Sequence, residues 1–276
     1  MPKLFWDKIG ERFYETGTKQ AVLYLQNAAG AYPQGIAWSG ITGFTESPDG
    51  AEANDLWADD MKYLSIRSTE TYGFSITAYS FPEEFEQCDG TATPVRGVKL
   101  GQQSRKAFGF VIKTTVGNDI DFNDHAYKLH LIYGATASPS DRDYATINDS
   151  PEAIEFSWDC ETTPIPVEGF KPVSCITIDS RTADPEALAD LEAALFGTDG
   201  TATYTEVTNT TGKNPAQEGW YERSGTAGSY TYTLTTDTTP QSGTTYYAKE
   251  AGGTTAYLPL PDDVLKTMGY TAPSAG

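Results

Sequence analysis

His125 and His130 are the two histidines of the chain, so any histidine relay or two-histidine metal site must be built from them. Both fall in one stretch that reads as a single strand, and no Ser or Cys sits in a nucleophile context such as G-x-S-x-G. Asp119, Asp121, Asn123 and Asp124 repeat the opening oxygen spacing of a calcium loop. The rest of that pattern fails, because Asp124 stands where the sharp turn needs Gly and His130 where a bidentate Glu is required. The run reads instead as the polar tip of a hairpin between strands around Phe110 and Leu129. Cys88, Cys160 and Cys175 are far apart, with no second Cys or His at ligand spacing, and are expected to be buried or half-buried thiols. Asn148 and Asn209 open N-x-[ST] triplets that read as polar loop residues. A glycosidase needs two suitably spaced carboxylates, which any acidic chain offers on paper. The Gly-rich stretches AGGTTAY and GTAGSY follow no strand and open no helix, so they are not phosphate loops. These residues point to no enzyme, no cofactor and no metal.

Charge narrows the class further. Lys and Arg number 19 against 38 Asp and Glu, a formal net charge of −19. That is the wrong sign for gripping a phosphate backbone, since such affinity comes from basic side chains that displace counterions. The start MPKLFWDKIGERFYE has no apolar core of a secretion signal, and no run of about 18 apolar residues is present to cross a bilayer. The expected site of synthesis is a cytoplasm, with no membrane partner.

The elements that must position these residues are mostly strands. Residues 72–79 alternate Tyr72, Phe74, Ile76 and Ala78 with smaller polar residues, the period of a half-buried strand. Residues 154–161 set Ile154, Phe156, Trp158 and Cys160 against Glu155, Ser157, Asp159 and Glu161, one face apolar and the other acidic. Comparable runs occupy 22–25, 41–45, 62–66, 107–114, 128–133 and 173–178, at the spacing of antiparallel sandwiches and barrels. One helix is clear: Asp184 caps it, Pro185 fills its first turn, Leu188, Leu191 and Leu195 form a stripe, and Gly197 stops it. Shorter helical turns are expected at 82–87 and 261–268.

Composition shifts at Thr198. From there to about Tyr257 the chain is rich in Thr, Gly and Tyr and nearly free of aliphatic residues. Trp220, Tyr221, Tyr230, Tyr232, Tyr246 and Tyr247 among β-favouring Thr predict two or three short strands. The expected organisation is a core domain over 1–197, an inserted β module over 198–257 that projects from the surface, and a segment over 258–276 that returns to the core.

Aromatic residues in otherwise polar segments are how interfaces anchor. Trp57, alone among the acidic residues of a segment read as a loop, is one candidate. Trp6, Arg12, Phe13 and Tyr14 near the start are others. Segments 3–19 and 47–60 are expected to contact neighbouring copies and to order on assembly.

Several blocks, in order, cover about three quarters of the chain: WDKIGERFYETGTKQAVLY, GITGFTESPDGAEANDLWADDMKYL, FPEEFEQCDG, GVKLGQQSRKAFGFVIKTTVGND, YKLHLIYGATASPSDRDYATINDSPEAIEFSW, GFKPVSCITIDS and LPLPDDV. Together they resemble the major tail tube proteins of long-tailed bacteriophages. The resemblance implies a mainly β fold, a tail tube-type sandwich or barrel with one flanking helix. It implies hexameric rings of this chain stacked into a tube within the virion, assembled in the host cytoplasm. Its implied partners are tape measure, tail terminator and distal tail proteins. DNA would pass without adhering, and Glu155, Asp159 and Glu161 are the candidate acidic wall of the lumen. A carbohydrate-binding or adhesive β-sandwich is the alternative, favoured by the Tyr and Trp content.

Overall fold

The computed structural model describes residues 4–139, 142, 144, 146, 153–208, 210–226 and 229–271. Most of the SPSDRDYATINDSPE loop, together with Asn148, Asn209 and residues 1–3, lies outside them. The fold is mainly β, and the chain divides into two compact units, residues 1–196 with 256–276, and Gly197–Thr255.

The first unit opens with β1 (Tyr14–Leu25), β2 (Gly35–Trp38) and β3 (Ile41–Asp49). A hairpin of β4 (Ala53–Ala58) and β5 (Met61–Arg67) follows, then β6 (Thr71–Ala78) and a 3-10 turn at Glu83–Gln87. A second small hairpin, β7 (Ala92–Val95) and β8 (Val98–Leu100), precedes the long strands β9 (Phe108–Asn118) and β10 (Phe122–Ala137). β11 (Phe156–Thr162), β12 (Cys175–Asp179) and helix α1 (Pro185–Phe196) complete it, apart from helix α2 (Pro261–Thr267) after the second unit.

Eight of these strands form one antiparallel sheet in the order β2-β1-β9-β10-β11-β6-β3, with β12 also on β10. The sandwich alternative implies two separate layers; here the hydrogen bonding joins the strands into one sheet. β10 is the reason. It is 16 residues long, pairs with β12 through Lys128–Ile132 and, beyond Gly134, with β11 through Ala135–Ala137. Gly134 has φ +60°, and a Cβ there would lie 2.4 Å from the Thr163 carbonyl oxygen. Only glycine takes that turn at low cost.

The bend folds the sheet onto itself. Trp38 of β2 meets Trp158 of β11 with ring centroids 5.6 Å apart, and Phe44 of β3 stacks on Phe110 of β9, although these strands are far apart in the sheet order. The interior so enclosed contains Leu23, Phe74, Ile76, Phe85, Phe108, Phe110 and Trp158. A second core lies on the other face, where Tyr24, Val111, Leu129, Leu131 and Tyr133 pack against Leu188, Leu191 and Leu195 of α1 and Val264 of α2. β9 and the middle of β10 are therefore buried on both sides, which is why FGFVI and LHLIY read as continuous apolar runs rather than alternations. Each such large side chain removed from water contributes about 1.5–3 kcal/mol.

α1 forms as its sequence dictates. Asp184 Oδ1 accepts from the Glu186 and Ala187 amides at 3.1 and 3.0 Å, the leucines face the core, and Gly197 leaves the helix at φ +74°.

Three local expectations need correction. Ile154 is exposed and precedes β11, whose inward face is the half-buried Phe156 with the buried Trp158 and Cys160. Residues 62–66 do form a strand, but every residue of β5 is exposed. Trp57 lies not in a loop but on β4. The last two follow from one fact: β4 and β5 form a separate two-stranded sheet with no core to face.

The second unit is a four-stranded antiparallel sheet in the order β13-β16-β14-β15, built from β13 (Gly200–Glu206), β14 (Tyr221–Thr226), β15 (Ser229–Leu234) and β16 (Tyr246–Gly252). The two or three expected strands are four, because the Thr-rich GTATYTE pairs with β16. Tyr204 and Tyr232 stack at 3.8 Å on one face, edge-on to Tyr221 and Tyr247. Trp220 and Tyr246 pack together, and Tyr246 donates to Asp237 at 2.5 Å.

Candidate assembly interface

Arg12, Phe13 and Tyr14 are brought together by the tip of the β9–β10 hairpin. Asn118 shapes that tip, its Oδ1 accepting from the Ile120 amide at 3.0 Å. Asp119 then accepts from the Gly10 amide at 2.9 Å, and Arg12 approaches the same carboxylate at 3.9 Å. Tyr14 donates to Asn123 at 2.9 Å. Phe13 stacks on His125 and carries the Arg181 guanidinium 4.7 Å above its ring. The acidic run with calcium-like spacing thus serves as a strap for the N-terminal segment, and no group of His, Cys, Asp and Glu suited to a metal gathers among the described residues. Trp6 is not drawn in; it is 77% exposed, with Leu4 and Ile9 exposed beside it. His125, considered above only for catalysis or metal binding, and Arg181 join this cluster without a local signal in the sequence, since the β9–β10 hairpin and the turn after β12 bring them to Phe13.

Trp57 belongs to a different surface. On the β4–β5 hairpin, Leu56, Trp57, Met61, Tyr63, Leu64 and Ile66 are all exposed, Trp57 at 68%. Isolated two-stranded hairpins are at best marginally stable in water.

Glu155, Asp159 and Glu161 are all exposed, and their alternation with Phe156, Trp158 and Cys160 holds. Glu155 accepts a hydrogen bond from Thr42. Register sets Asp159 beside Ser75 and Glu161 beside Gly73, and Ser75 beside Thr45. The face turned from the core on β11, β6 and β3 is thus Ser, Thr and Gly with acids, and none of the three strands contains a Lys or Arg.

A polar pocket of about 570 Å³ opens beside His130, lined by Glu15, Thr18, Thr42, Glu46 and Thr114. His130 is buried; Nε2 meets Thr114 Oγ1 at 2.9 Å and Nδ1 lies 3.3 Å from Glu46. Burial lowers its proton affinity below that of an ordinary histidine, with Glu46 opposing. Arg181 holds Asp179 down to a pKa of about 2, chiefly by hydrogen bonding. All three cysteines are free, Cys88 and Cys160 buried and Cys175 half-buried, and burial pushes the Cys88 thiol up to about 12. None of these groups forms a nucleophile–base pair. No helix among the described residues is long and apolar enough to cross a membrane.

No family model matches the chain, and no curated protein matches it. Among solved structures, a chain of the anti-feeding prophage (AFP) baseplate, in a 6-fold symmetrised cryo-EM structure, is similar over 63% of this chain and 97% of its own. Identity is 10% and the TM-score 0.33, a likeness too distant to carry an argument about function.

Proposed function

We propose that this chain is a structural virion protein that assembles into stacked hexameric rings forming a phage tail tube, and that it catalyses nothing. The observation that carries the reading is the solvent face of β11, β6 and β3: small hydroxyl residues and glycine, acids at Asp159 and Glu161, and no cation in the three strands. DNA carries one charge per about 1.7 Å, and a wall of like sign without basic side chains lets it slide. Glu155, Asp159 and Glu161 line the lumen in this reading. β2 and β3 end the path of the sheet, and pairing between copies closes those open edges, which otherwise invite aggregation. Trp6, Arg12, Phe13, Tyr14 and Trp57 supply contacts between copies, and the tape measure, tail terminator and distal tail proteins are the partners of such a tube.

Negative-stain imaging and sedimentation of the purified chain test the reading. The expected products are rings or tubes about 100 Å wide, from six domains of roughly 35–40 Å around a pore. Trp57→Ala and deletion of residues 3–12 should each leave a folded monomer. Glu155→Lys, Asp159→Lys and Glu161→Lys together should leave tubes intact but impede DNA ejection. A monomer under all conditions overturns the tube, and normal ejection from the lysine variant removes these acids from the lumen.

A second reading is an adhesive or carbohydrate-binding protein. It is favoured by the tyrosine face of the second unit, where Arg223 lies 4.3 Å from the Tyr230 ring centroid and 4.9 Å from that of Tyr247. Glycan retention by the purified monomer would support it, and tubes without glycan retention would exclude it.

A further inference from the structure

We infer that the β7–β8 hairpin and the groove beside it receive the β4–β5 hairpin of a second copy of this chain. The inference rests on the assembly reading above and names the two surfaces that meet. In a chain with twice as many acids as bases, residues 91–106, TATPVRGVKLGQQSRK, hold four basic residues and no acid. Lys99 is taken up by the buried Glu86, and Arg105 by Asp89 at 3.7 Å. Arg96 at the hairpin turn and Lys106 have no ion pair among the described residues. Val95, Val98 and Leu100 stand exposed around Arg96. The adjoining groove, about 1200 Å³, is lined by Thr93, Arg96, Lys99 and Lys106, with Glu83 and Glu84 also in its lining.

The β4–β5 hairpin is the complement. Its turn is Asp59–Asp60, both at positive φ and neither ion-paired among the described residues, whereas Asp55 within the hairpin is paired with Lys62 at 2.7 Å. Trp57 and Met61 flank the turn, both more than 60% exposed. The turn of each hairpin therefore presents unmatched charge amid exposed apolar side chains, positive at Arg96 and negative at Asp59 and Asp60, while Arg67, at the far end of β5 from the turn, donates to the Ala51 carbonyl. Neither joins the main sheet nor pairs with the other within the chain. Large aromatic and Arg residues are the usual centres of binding energy, and complementary charge fixes the register of docking. The Trp57 indole fills the groove while the Asp59 and Asp60 carboxylates meet Arg96 and Lys106.

Charge exchange tests this. Arg96→Glu, and separately the double change Asp59→Lys with Asp60→Lys, should each raise the concentration needed for assembly by about tenfold or more. Combining all three should bring it back toward the wild-type value. Independently, Trp57→Cys together with Val98→Cys should give a ladder of disulfide-linked multimers under oxidising conditions, absent from either single variant. Assembly of Arg96→Glu at the wild-type concentration, with no ladder from the cysteine pair, overturns the contact and leaves the tube reading standing. A wild-type chain that never assembles overturns both.

Discussion

At the scale of single residues, His130 makes a statement about pH. It sits among Thr114 on β9, Glu46 on β3 and Thr177 on β12, with Lys128 and Glu15 the other charges that act on it. Because burial lowers its proton affinity in the fold, the unfolded chain binds the proton more readily. Below the ordinary histidine pKa of 6.5, and down to the folded value, the unfolded state therefore holds more protons, and stability falls as pH falls. Above that pKa the contribution is fully present. His130→Gln should flatten the dependence of urea unfolding on pH between about 5 and 7, and an unchanged slope would show that other groups set it. The site residues named from sequence were legible to the extent that their signal was local. The acidic alternation of β11 could be read directly from FSWDCET. The grouping of Gly10, Asp119, His125 and Arg181 could not, because these residues converge only after the β9–β10 hairpin forms.

At the scale of elements, the bend in β10 carries the fold. Gly134→Ala places a Cβ against the Thr163 carbonyl at positive φ, a cost of about 1–3 kcal/mol. A drop in Tm of several degrees is the expected readout in calorimetry, and a Tm within a degree of wild type would show that the bend relaxes freely. α1 and α2 were legible because caps, prolines and leucine spacing are short-range signals. So were β6, β9 and β10, by alternation or continuous apolar runs. The nature of β4–β5 was hidden. Its strand pattern ANDLWADDMKYLSIR looks half-buried only if a core is assumed opposite, and nothing in the local sequence says that the chain turns away from one. The union of two layers into one sheet was hidden for a similar reason, since it depends on one glycine read in three dimensions.

At the scale of the whole molecule, the chain divides where its composition does, near residue 197 and again near 255. The flanks of the second unit bear on what it does: Tyr257 donates to the Ala194 carbonyl of α1 at 2.8 Å, and the Ala256 carbonyl accepts from Gly35 at 2.7 Å. The two ends of the first unit's chain thus meet beside α1, and a short connection suffices to join them. We propose that the inserted unit projects from the outside of the tube. Replacing residues 198–255 with a Gly-Ser linker should preserve assembly and narrow the outer profile of the tube in class averages. Loss of tubes from a folded core would put the insertion in the assembly contact instead.

The meeting of Trp38 and Trp158 has a further consequence, one of spectroscopy. Two indoles 5.6 Å apart and tilted by 70° couple their electronic transitions. Since they come from strands that approach only when the sheet has curled, their joint near-ultraviolet dichroism is an optical gauge of that closure. Trp6 and Trp57, in solvent, contribute little dichroism but emit at long wavelength. Binding at either one would therefore shift the emission while the dichroic band stayed fixed, separating assembly from folding in a single cuvette.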